Sequence, residues 1–286
     1  MTLLDQATHL RQMARRVSAP RMQTIAITSG KGGVGKTNLA VNLAVVLASM
    51  KRRVVLLDAD MGLANDDILC NVQPRYNLAH VVAGQKTLAE VITPVPAGFS
   101  LVAGASGLSR MADLSETDRR RLMSELETLQ EVADVLIIDT GAGIGRNVLA
   151  FTATADHVVV VTTPEPTAIT DAYACLKVLV RCGTAATMSL MVNQARSRDE
   201  AKAVHERVSG VCRQFLKANV IFAGFVLADP AVQDSVRRRM PFVLAHPKSA
   251  AAQCMLAWAN RMDSSVEVQS AAPKGGFFRR LAAWWR

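Results

Sequence analysis

A glycine-rich segment with two lysines and a threonine is the part of this chain best suited to chemistry. It reads GKGGVGKT from Gly30 to Thr37. It fits the pattern G-x-x-x-x-G-K-[ST], in which backbone N–H groups surround phosphate oxygens. In this pattern Lys36 reaches the β- and γ-phosphates, and the Thr37 hydroxyl completes the coordination of Mg²⁺. The sequence therefore predicts that the chain binds a nucleoside triphosphate together with Mg²⁺. The predicted binding residues are Gly30, Lys31, Gly32, Gly33, Val34, Gly35, Lys36 and Thr37.

Acidic residues follow two apolar runs elsewhere in the chain. Asp58 and Asp60 lie in the sequence DAD, and Asp139 begins the sequence DTGAG. Phosphoryl transfer requires charge neutralisation and a positioned water more than covalent chemistry by the protein. One acid should therefore hold the Mg²⁺ shell and another should orient the attacking water. The alternative is that each acid only caps the loop that follows it.

Strands and helices alternate around these residues. Near-continuous apolar runs predict buried strands, and segments with helical spacing lie between them. This alternation predicts an α/β fold of the P-loop NTPase type, a mostly parallel sheet with helices on both faces, in which ligands bind at the carboxyl ends of the strands. The predicted strands are residues 23–28, 53–58, 134–139, 157–162, 188–193 and 220–227. The predicted helices are residues 38–50, 115–132, 167–181, 197–215 and 231–238.

Composition limits the class of protein. The chain has 286 residues, of which half are hydrophobic and a fifth charged, as expected for a soluble globular protein with one large core. The polar N-terminal residues argue against export, and no apolar run reaches the ~18 residues of a membrane span. The five cysteines form no C-x-x-C pair, which indicates reduced thiols in the cytoplasm rather than an iron–sulfur or zinc site. The net charge of +9 suggests an anionic partner, either nucleic acid or lipid.

The two ends of the chain differ from its middle. Residues 1–20 are predicted to form a separate polar helical arm, residues 21–262 the nucleotide-binding domain, and residues 263–276 a flexible linker. In residues 277–286 the apolar positions share one helical face, with arginines flanking it, which favours an amphipathic helix at the surface of an anionic membrane. The alternative is a helix docked on the core, and the predicted linker argues against it. The residues of this face are Phe277, Phe278, Leu281, Trp284 and Trp285.

The segment KGGVGKT, with its extra lysine at position 31, resembles the deviant Walker A loop of the MinD/ParA ATPase superfamily. In that superfamily the extra lysine reaches across a dimer interface to the partner's nucleotide. The resemblance therefore implies an ATP-dependent homodimer in which Lys31, Lys36 and Asp60 are catalytic.

The same resemblance assigns roles to other residues. Asp139 would hold the Mg²⁺ shell with Thr37, Asp58 would support the metal's water shell, and Asp60 would position the water. Asn193, at the end of a predicted strand, would contact adenine; the alternative is an ordinary turn residue. Family members usually carry a proline where this chain has Gly141.

Three further segments are similar to the FlhG/FleN flagellar-number regulators of that superfamily. They are DQATHLRQM at residues 5–13, TTPEPTAITDAY at residues 162–173 and VQDSVRRRMPFV at residues 232–243. The resemblance implies a regulator of flagellar number or placement that binds the inner face of the cytoplasmic membrane reversibly. Its implied partners are an FlhF-like signal-recognition-type GTPase, a flagellar transcription regulator and C-ring components. The arm residues implied in activating that GTPase are Asp5, Gln6, Ala7, Leu10 and Arg11.

Rival interpretations remain open. A ParA-type partitioning ATPase would use the arginines at 237–239 to hold DNA, although nucleic acid is not expected as a direct ligand of a flagellar regulator. The N-terminal arm argues against a MinD-type division-site regulator, and the absence of paired cysteines argues against a nucleotide-dependent scaffold or metal-cluster carrier.

Overall fold

The computed structural model describes residues 21–60, 66–104, 114–268 and 276–285, with the side chains of residues 264–268 excepted. Eight strands form one sheet in the order β3-β4-β2-β5-β1-β6-β7-β8. Every neighbouring pair is parallel except β3 and β4, which are antiparallel at one edge. The strands are β1 (Gln23–Ser29), β2 (Val54–Ala59), β3 (Thr93–Pro94), β4 (Ser100–Val102), β5 (Val135–Ala142), β6 (His157–Thr162), β7 (Thr187–Ala195) and β8 (Ile221–Leu227).

The helices connect successive strands over both faces of the sheet. A π-helical turn at Cys212–Leu216 extends α9. The helices are α1 (Lys36–Ser49), α2 (Asp66–Leu69), α3 (Leu78–Val82), α4 (Leu88–Val91), α5 (Glu116–Glu127), α6 (Leu129–Val132), α7 (Arg146–Thr154), α8 (Pro166–Arg181), α9 (Arg198–Val211), α10 (Pro230–Arg237), α11 (Phe242–Ala245), α12 (Ala250–Val268) and α13 (Phe277–Trp284).

The central strands separate two apolar cores. Ile25 and Ile27 of β1 belong to the core that includes α1 and Trp258 of α12. Ala26, between them, belongs to the opposite core together with Leu176 of α8. Successive side chains of a strand point to opposite faces, so a strand buried on both faces is apolar at nearly every position. The predicted mostly parallel sheet with helices on both faces is confirmed.

Some elements differ from the prediction. The helix predicted at residues 115–132 is interrupted at Thr128, whose hydroxyl donates to the Glu125 carbonyl at 2.6 Å. The predicted linker at residues 263–276 is wrong in its first part, because α12 continues to Val268. Asp263 lies within this helix and forms an ion pair with Arg52 at 2.6 Å. The predicted arm at residues 1–20 lies outside the described residues.

The C-terminal helix α13 forms as predicted, but it is docked on the domain. Phe278 and Leu281 are fully buried, and Trp285 packs edge-on against Phe151 of α7 at 5.9 Å between ring centroids. The sequence argument that a linker disfavours docking is therefore wrong for this structure. Burying one large apolar side chain stabilises by ~1.5–3 kcal/mol, and several such side chains outweigh the entropic cost of closing a short loop.

Polar contacts also fix α13. Arg119 of α5 donates to the Trp285 carbonyl at 2.6 Å, and Arg280 donates to the Thr154 carbonyl at 2.9 Å. Arg280 also pairs with the buried Asp156 at 2.7 Å. Among the helices described above, none combines the length and the apolar character that crossing a bilayer requires.

Candidate functional site

The glycine-rich loop joins the end of β1 to the start of α1. Gly33 and Gly35 have φ angles of 77° and 91°, a left-handed region that glycine enters without steric cost. Gly30 has no room for a side chain, because a Cβ there would collide with the backbone of Asp171. No side chain caps the N-terminus of α1, so its backbone N–H groups can bind an anion, and the helix dipole favours one there.

Lys36 and Thr37 begin α1 and point into the domain. Lys36 is only 7% exposed, and the Thr37 hydroxyl donates to Asp139 Oδ2 at 2.7 Å. The other oxygen of Asp139 is buried and has no hydrogen-bond partner among the described residues. Burial raises the pKa of Asp139 to about 7, while the Thr37 hydrogen bond and the charge of Lys36 act in the opposite direction.

Asp58 lies beside Asp139, because the two residues are register partners in β2 and β5. The Asp58 carboxylate accepts a hydrogen bond from the Asp60 N–H at 3.0 Å. Burial, and after it the charge of Asp139, raises the pKa of Asp58 to about 7. Two buried carboxyl groups side by side, one with an unpartnered oxygen, fit a site for a hard divalent cation such as Mg²⁺.

Asp60 follows β2 and is partly exposed. Its Oδ1 lies opposite Gly141 of β5, and a Cβ on Gly141 would be 3.3 Å from this oxygen. The glycine that replaces the family's usual proline therefore leaves space for the Asp60 carboxylate. Residues 61–65, which continue this loop, lie outside the described residues.

Lys31 lies at the exposed tip of the loop. Its Nζ donates to Glu165 Oε2 at 2.9 Å and to the Thr167 hydroxyl at 3.2 Å. Both partners belong to the same chain and stand at the N-terminus of α8. The predicted contact of Lys31 with a partner's nucleotide stays a prediction.

A cavity of about 760 Å³ opens beside the loop and is lined by Gly33, Gly35, Asn193, Asp229 and Pro230, among others. Asn193 Nδ2 donates to the Val34 carbonyl at 2.8 Å, so this side chain holds the loop against the end of β7. Because loop glycines form part of its wall, the cavity can accept a nucleoside whose phosphates lie on the loop. The contact of Asn193 with adenine stays a prediction.

Sequence reasoning missed three residues near this site: Asp66, Glu165 and Thr167. Asp66 is fully buried, whereas the adjacent Asp67 is partly exposed. Two consecutive acids give no signal of which one is buried. Glu165 and Thr167 lie in the segment 162–173, which is similar to the flagellar regulators. Their contact with Lys31 depends on β6 lying beside β1 in the sheet, which the sequence does not reveal. The predicted GTPase-activating residues of the arm lie outside the described residues.

Comparisons with known proteins agree with this geometry. Residues 22–190 match the family model described as an AAA domain. The chain is 39% identical over 243 residues to the antiactivator FleN of Pseudomonas aeruginosa, covering 85% of this chain and 87% of FleN. It is 34% identical over 262 residues to the flagellum site-determining protein YlxH of Helicobacter pylori, covering 90% of this chain and 88% of YlxH.

Among solved structures, it superposes on the septum site-determining protein MinD complexed with Mg-ADP from Pyrococcus horikoshii OT3. The TM-score is 0.71 at 25% identity, covering 87% of this chain and 99% of MinD.

Proposed function

Because the chain belongs to the MinD/ParA-type ATPases, in the group of the flagellar regulators FleN and YlxH, we propose that it is an ATP-dependent switch that controls flagellar number or placement. The chain is an ATPase whose cofactors are ATP and Mg²⁺. The observation that supports the proposal most directly is the site around the loop, where Lys36, the Thr37–Asp139 hydrogen bond and Asp60 lie together. The domain that carries this site is similar to FleN over most of its length.

The proposed mechanism divides the work among these residues. The loop N–H groups, the N-terminus of α1 and Lys36 bind the phosphates and compensate their charge. Thr37 and Asp139 would hold the Mg²⁺ ion, and Asp58 would orient its water shell. When bound, the ion supplies charge neutralisation on the phosphate oxygens. Asp60 orients the attacking water, and Gly141 leaves the space in which its carboxylate can do so.

Dimerisation is the second part of the proposal. Lys31 stands on the exposed tip of the loop, where a second copy of the chain could approach. Two molecules would enclose two ATP molecules, and hydrolysis would separate them. The ion pair of Lys31 with Glu165 is then exchanged for a contact with the partner's nucleotide.

Membrane binding is the third part. The predicted lipid-binding face of α13 is covered by the domain in this structure, so the helix has to leave the domain before it can insert into an anionic membrane. Membrane association is then reversible, because the same apolar face binds either the domain or the lipid. Arg279 and Arg280 would add attraction to anionic headgroups, about 1 kcal/mol for each near the surface.

The N-terminal arm is the fourth part, and it would act on the FlhF-like GTPase in trans. A glutamine can orient an attacking water in phosphoryl transfer, so Gln6 is the residue expected to stimulate hydrolysis. A peptide of residues 1–20 should accelerate GTP hydrolysis by such a GTPase, and Gln6→Ala should lose stimulation more than binding. A peptide that neither binds nor stimulates would contradict this part and leave the ATPase itself unaffected.

The DNA-partitioning alternative has less support. Arg238 pairs with Asp234 at 2.8 Å, and Arg237 lines the nucleotide cavity. Two of the three arginines at 237–239 therefore have other contacts, and nucleic acid is not part of the proposed function.

The experiment that tests the function is complementation of a Pseudomonas aeruginosa strain that lacks FleN. Flagella per cell are counted by electron microscopy with the intact chain and with Lys36→Ala. The intact chain should restore the count of the parent strain, and Lys36→Ala should not. A strain whose count is unchanged by an expressed, folded chain would overturn the flagellar assignment.

A further inference from the structure

Asp66, the first residue of α2, is an acid that the described mechanism does not use. It is fully buried, and neither of its carboxylate oxygens has a hydrogen-bond partner in the part of the chain that the structure describes. An ionised carboxylate is strongly destabilised when it is buried without a partner. A group of this kind therefore requires either a bound proton or a cation nearby.

The neighbours of Asp66 are the acids of the metal site. Its backbone N–H is close enough to the Asp58 carboxylate to favour the charged form of that group, so the start of α2 lies near the end of β2. Burial raises the pKa of its carboxyl group well above the usual range, and the charges of Asp139 and then Asp58 add to this effect. Asp139 Oδ1 is also buried and unpartnered. Two buried acids with unsatisfied oxygens thus adjoin the place where Thr37 would hold Mg²⁺.

The described protein side chains do not complete a metal site by themselves. This is expected for Mg²⁺, which keeps several waters and binds through one or two carboxylates and the phosphates of its nucleotide. Groups beyond the direct ligands then decide how tightly the ion is held, because they fix its waters and balance its charge.

We propose that Asp66 is a further carboxylate of the magnesium site, a positioning residue that strengthens metal binding through its charge and through the ion's water shell. The adjacent Asp67 does not share this role. It is partly exposed, and its carboxylate accepts a hydrogen bond from the Ile68 N–H at 2.8 Å. The proposal concerns the ATP and Mg²⁺ site alone and does not depend on dimerisation, membrane binding or flagellar control.

The test compares Asp66→Asn with Asp67→Asn, two variants of the full chain with the same loss of charge at neighbouring positions. Mn²⁺ binding to the ADP-bound protein is measured by the electron paramagnetic resonance signal of free Mn²⁺, which requires no turnover. Asp66→Asn should weaken Mn²⁺ affinity about tenfold or more, as for other groups that support metal ligands. Asp67→Asn should remain close to the wild-type protein, and ADP affinity in EDTA should not fall in either variant.

Unchanged Mn²⁺ affinity in Asp66→Asn, or an equal loss in both variants, would overturn the proposal. If Asp66→Asn does not fold, hydrogen exchange on the ADP-bound wild-type protein decides instead. Addition of Mg²⁺ should then slow exchange at the amides of residues 66–70, and no change there would equally overturn it.

Discussion

In the nucleotide site, the charges of the buried acids and of Lys36 are compensated only when Mg²⁺ and the nucleotide are bound. Asp58 and Asp139 are adjacent and buried, and burial is the main cause that raises the pKa of each to about 7. Lys36 is the nearby cation that lowers the pKa of Asp139. A bound divalent cation would lower the pKa of both carboxyl groups again, because it favours their charged forms. We therefore expect the site to bind metal and nucleotide together more readily than either alone.

Asp60 should be required for hydrolysis and not for binding. In Asp60→Ala the loop, Lys36 and the metal-site acids stay intact, so ATP should bind with nearly normal affinity. Without a positioned water, the rate of phosphate release should fall on the order of a hundredfold. Single-turnover experiments measure the hydrolysis rate of Asp60→Ala, and equilibrium binding measures its ATP affinity. Asp67→Ala is the control, because it removes the same charge. A normal hydrolysis rate in Asp60→Ala would contradict the assignment of Asp60 as the residue that positions the water.

Gly141→Ala should slow hydrolysis by crowding Asp60. The new Cβ would lie 3.3 Å from Asp60 Oδ1, so the carboxylate has to shift by a few tenths of an ångström. Gly141 is not among the glycines with positive φ, so the backbone itself tolerates alanine. Gly145→Ala is the matched control, because a Cβ there has no neighbour within 4 Å. A several-fold lower hydrolysis rate is expected only for Gly141→Ala, on the order expected for a small displacement of a catalytic group. Equal hydrolysis rates in Gly141→Ala and Gly145→Ala would show that the space between Gly141 and Asp60 has no role in hydrolysis.

The sequence predicts some of these residues and not others for a physical reason. The glycine loop and Thr37 are fixed by local spacing, and Asp139 comes directly after the apolar residues of β5. Asp66 and Glu165 depend on which elements become neighbours in the folded chain, and no local pattern records that. The second role of Asn193, its hydrogen bond to Val34, likewise depends on β7 lying close to the loop.

At the scale of elements, the pattern of α13 predicts its apolar face but not what covers that face. Lipid and the groove beside α5 and α7 both offer an apolar surface, and the sequence of the helix is equally compatible with either. The contacts that distinguish them are polar. Asp156 accepts hydrogen bonds from Arg280 and from the Thr24 N–H and hydroxyl, and Arg21 pairs with it at 3.0 Å.

Loss of the Arg280 contacts should release α13. Arg280→Ala removes an ion pair to a buried carboxylate and a hydrogen bond to Thr154, and the former stabilises more than an exposed pair does. Because the apolar face is unchanged, the released helix should bind membrane more readily. Sedimentation with anionic liposomes in ADP should therefore increase for Arg280→Ala.

Arg279→Ala is the control for this prediction, because Arg279 is exposed on the same helix and the substitution removes the same charge. Deletion of residues 277–286 should abolish sedimentation with ADP and with ATP. Equal sedimentation of Arg280→Ala and Arg279→Ala in ADP would contradict the idea that the ion pair holds the helix on the domain.

At the scale of the whole molecule, Lys31 is the residue that links nucleotide binding to the proposed dimerisation. Its ion pair with Glu165 is largely exposed, with 41% and 63% of the two side chains accessible. Exposed ion pairs contribute at most about 1 kcal/mol. The pair therefore positions Lys31 without holding it strongly, and contact with a second molecule's phosphates can replace it at little cost.

Lys31→Ala should consequently lose the ATP-dependent dimer while it still binds nucleotide. The measurement is size exclusion with light scattering in the Asp60→Ala background, where the dimer should accumulate because hydrolysis is blocked. Lys36→Ala should bind no nucleotide, which separates loss of binding from loss of assembly. Lys202→Ala, at an exposed lysine of α9, controls for charge. Glu165→Gln removes the pairing charge but keeps Lys31, so its dimer should persist. A Lys31→Ala protein that dimerises like its parent would show that Lys31 acts only within its own subunit. Loss of the dimer in Glu165→Gln would show that the ion pair between Lys31 and Glu165 itself supports assembly.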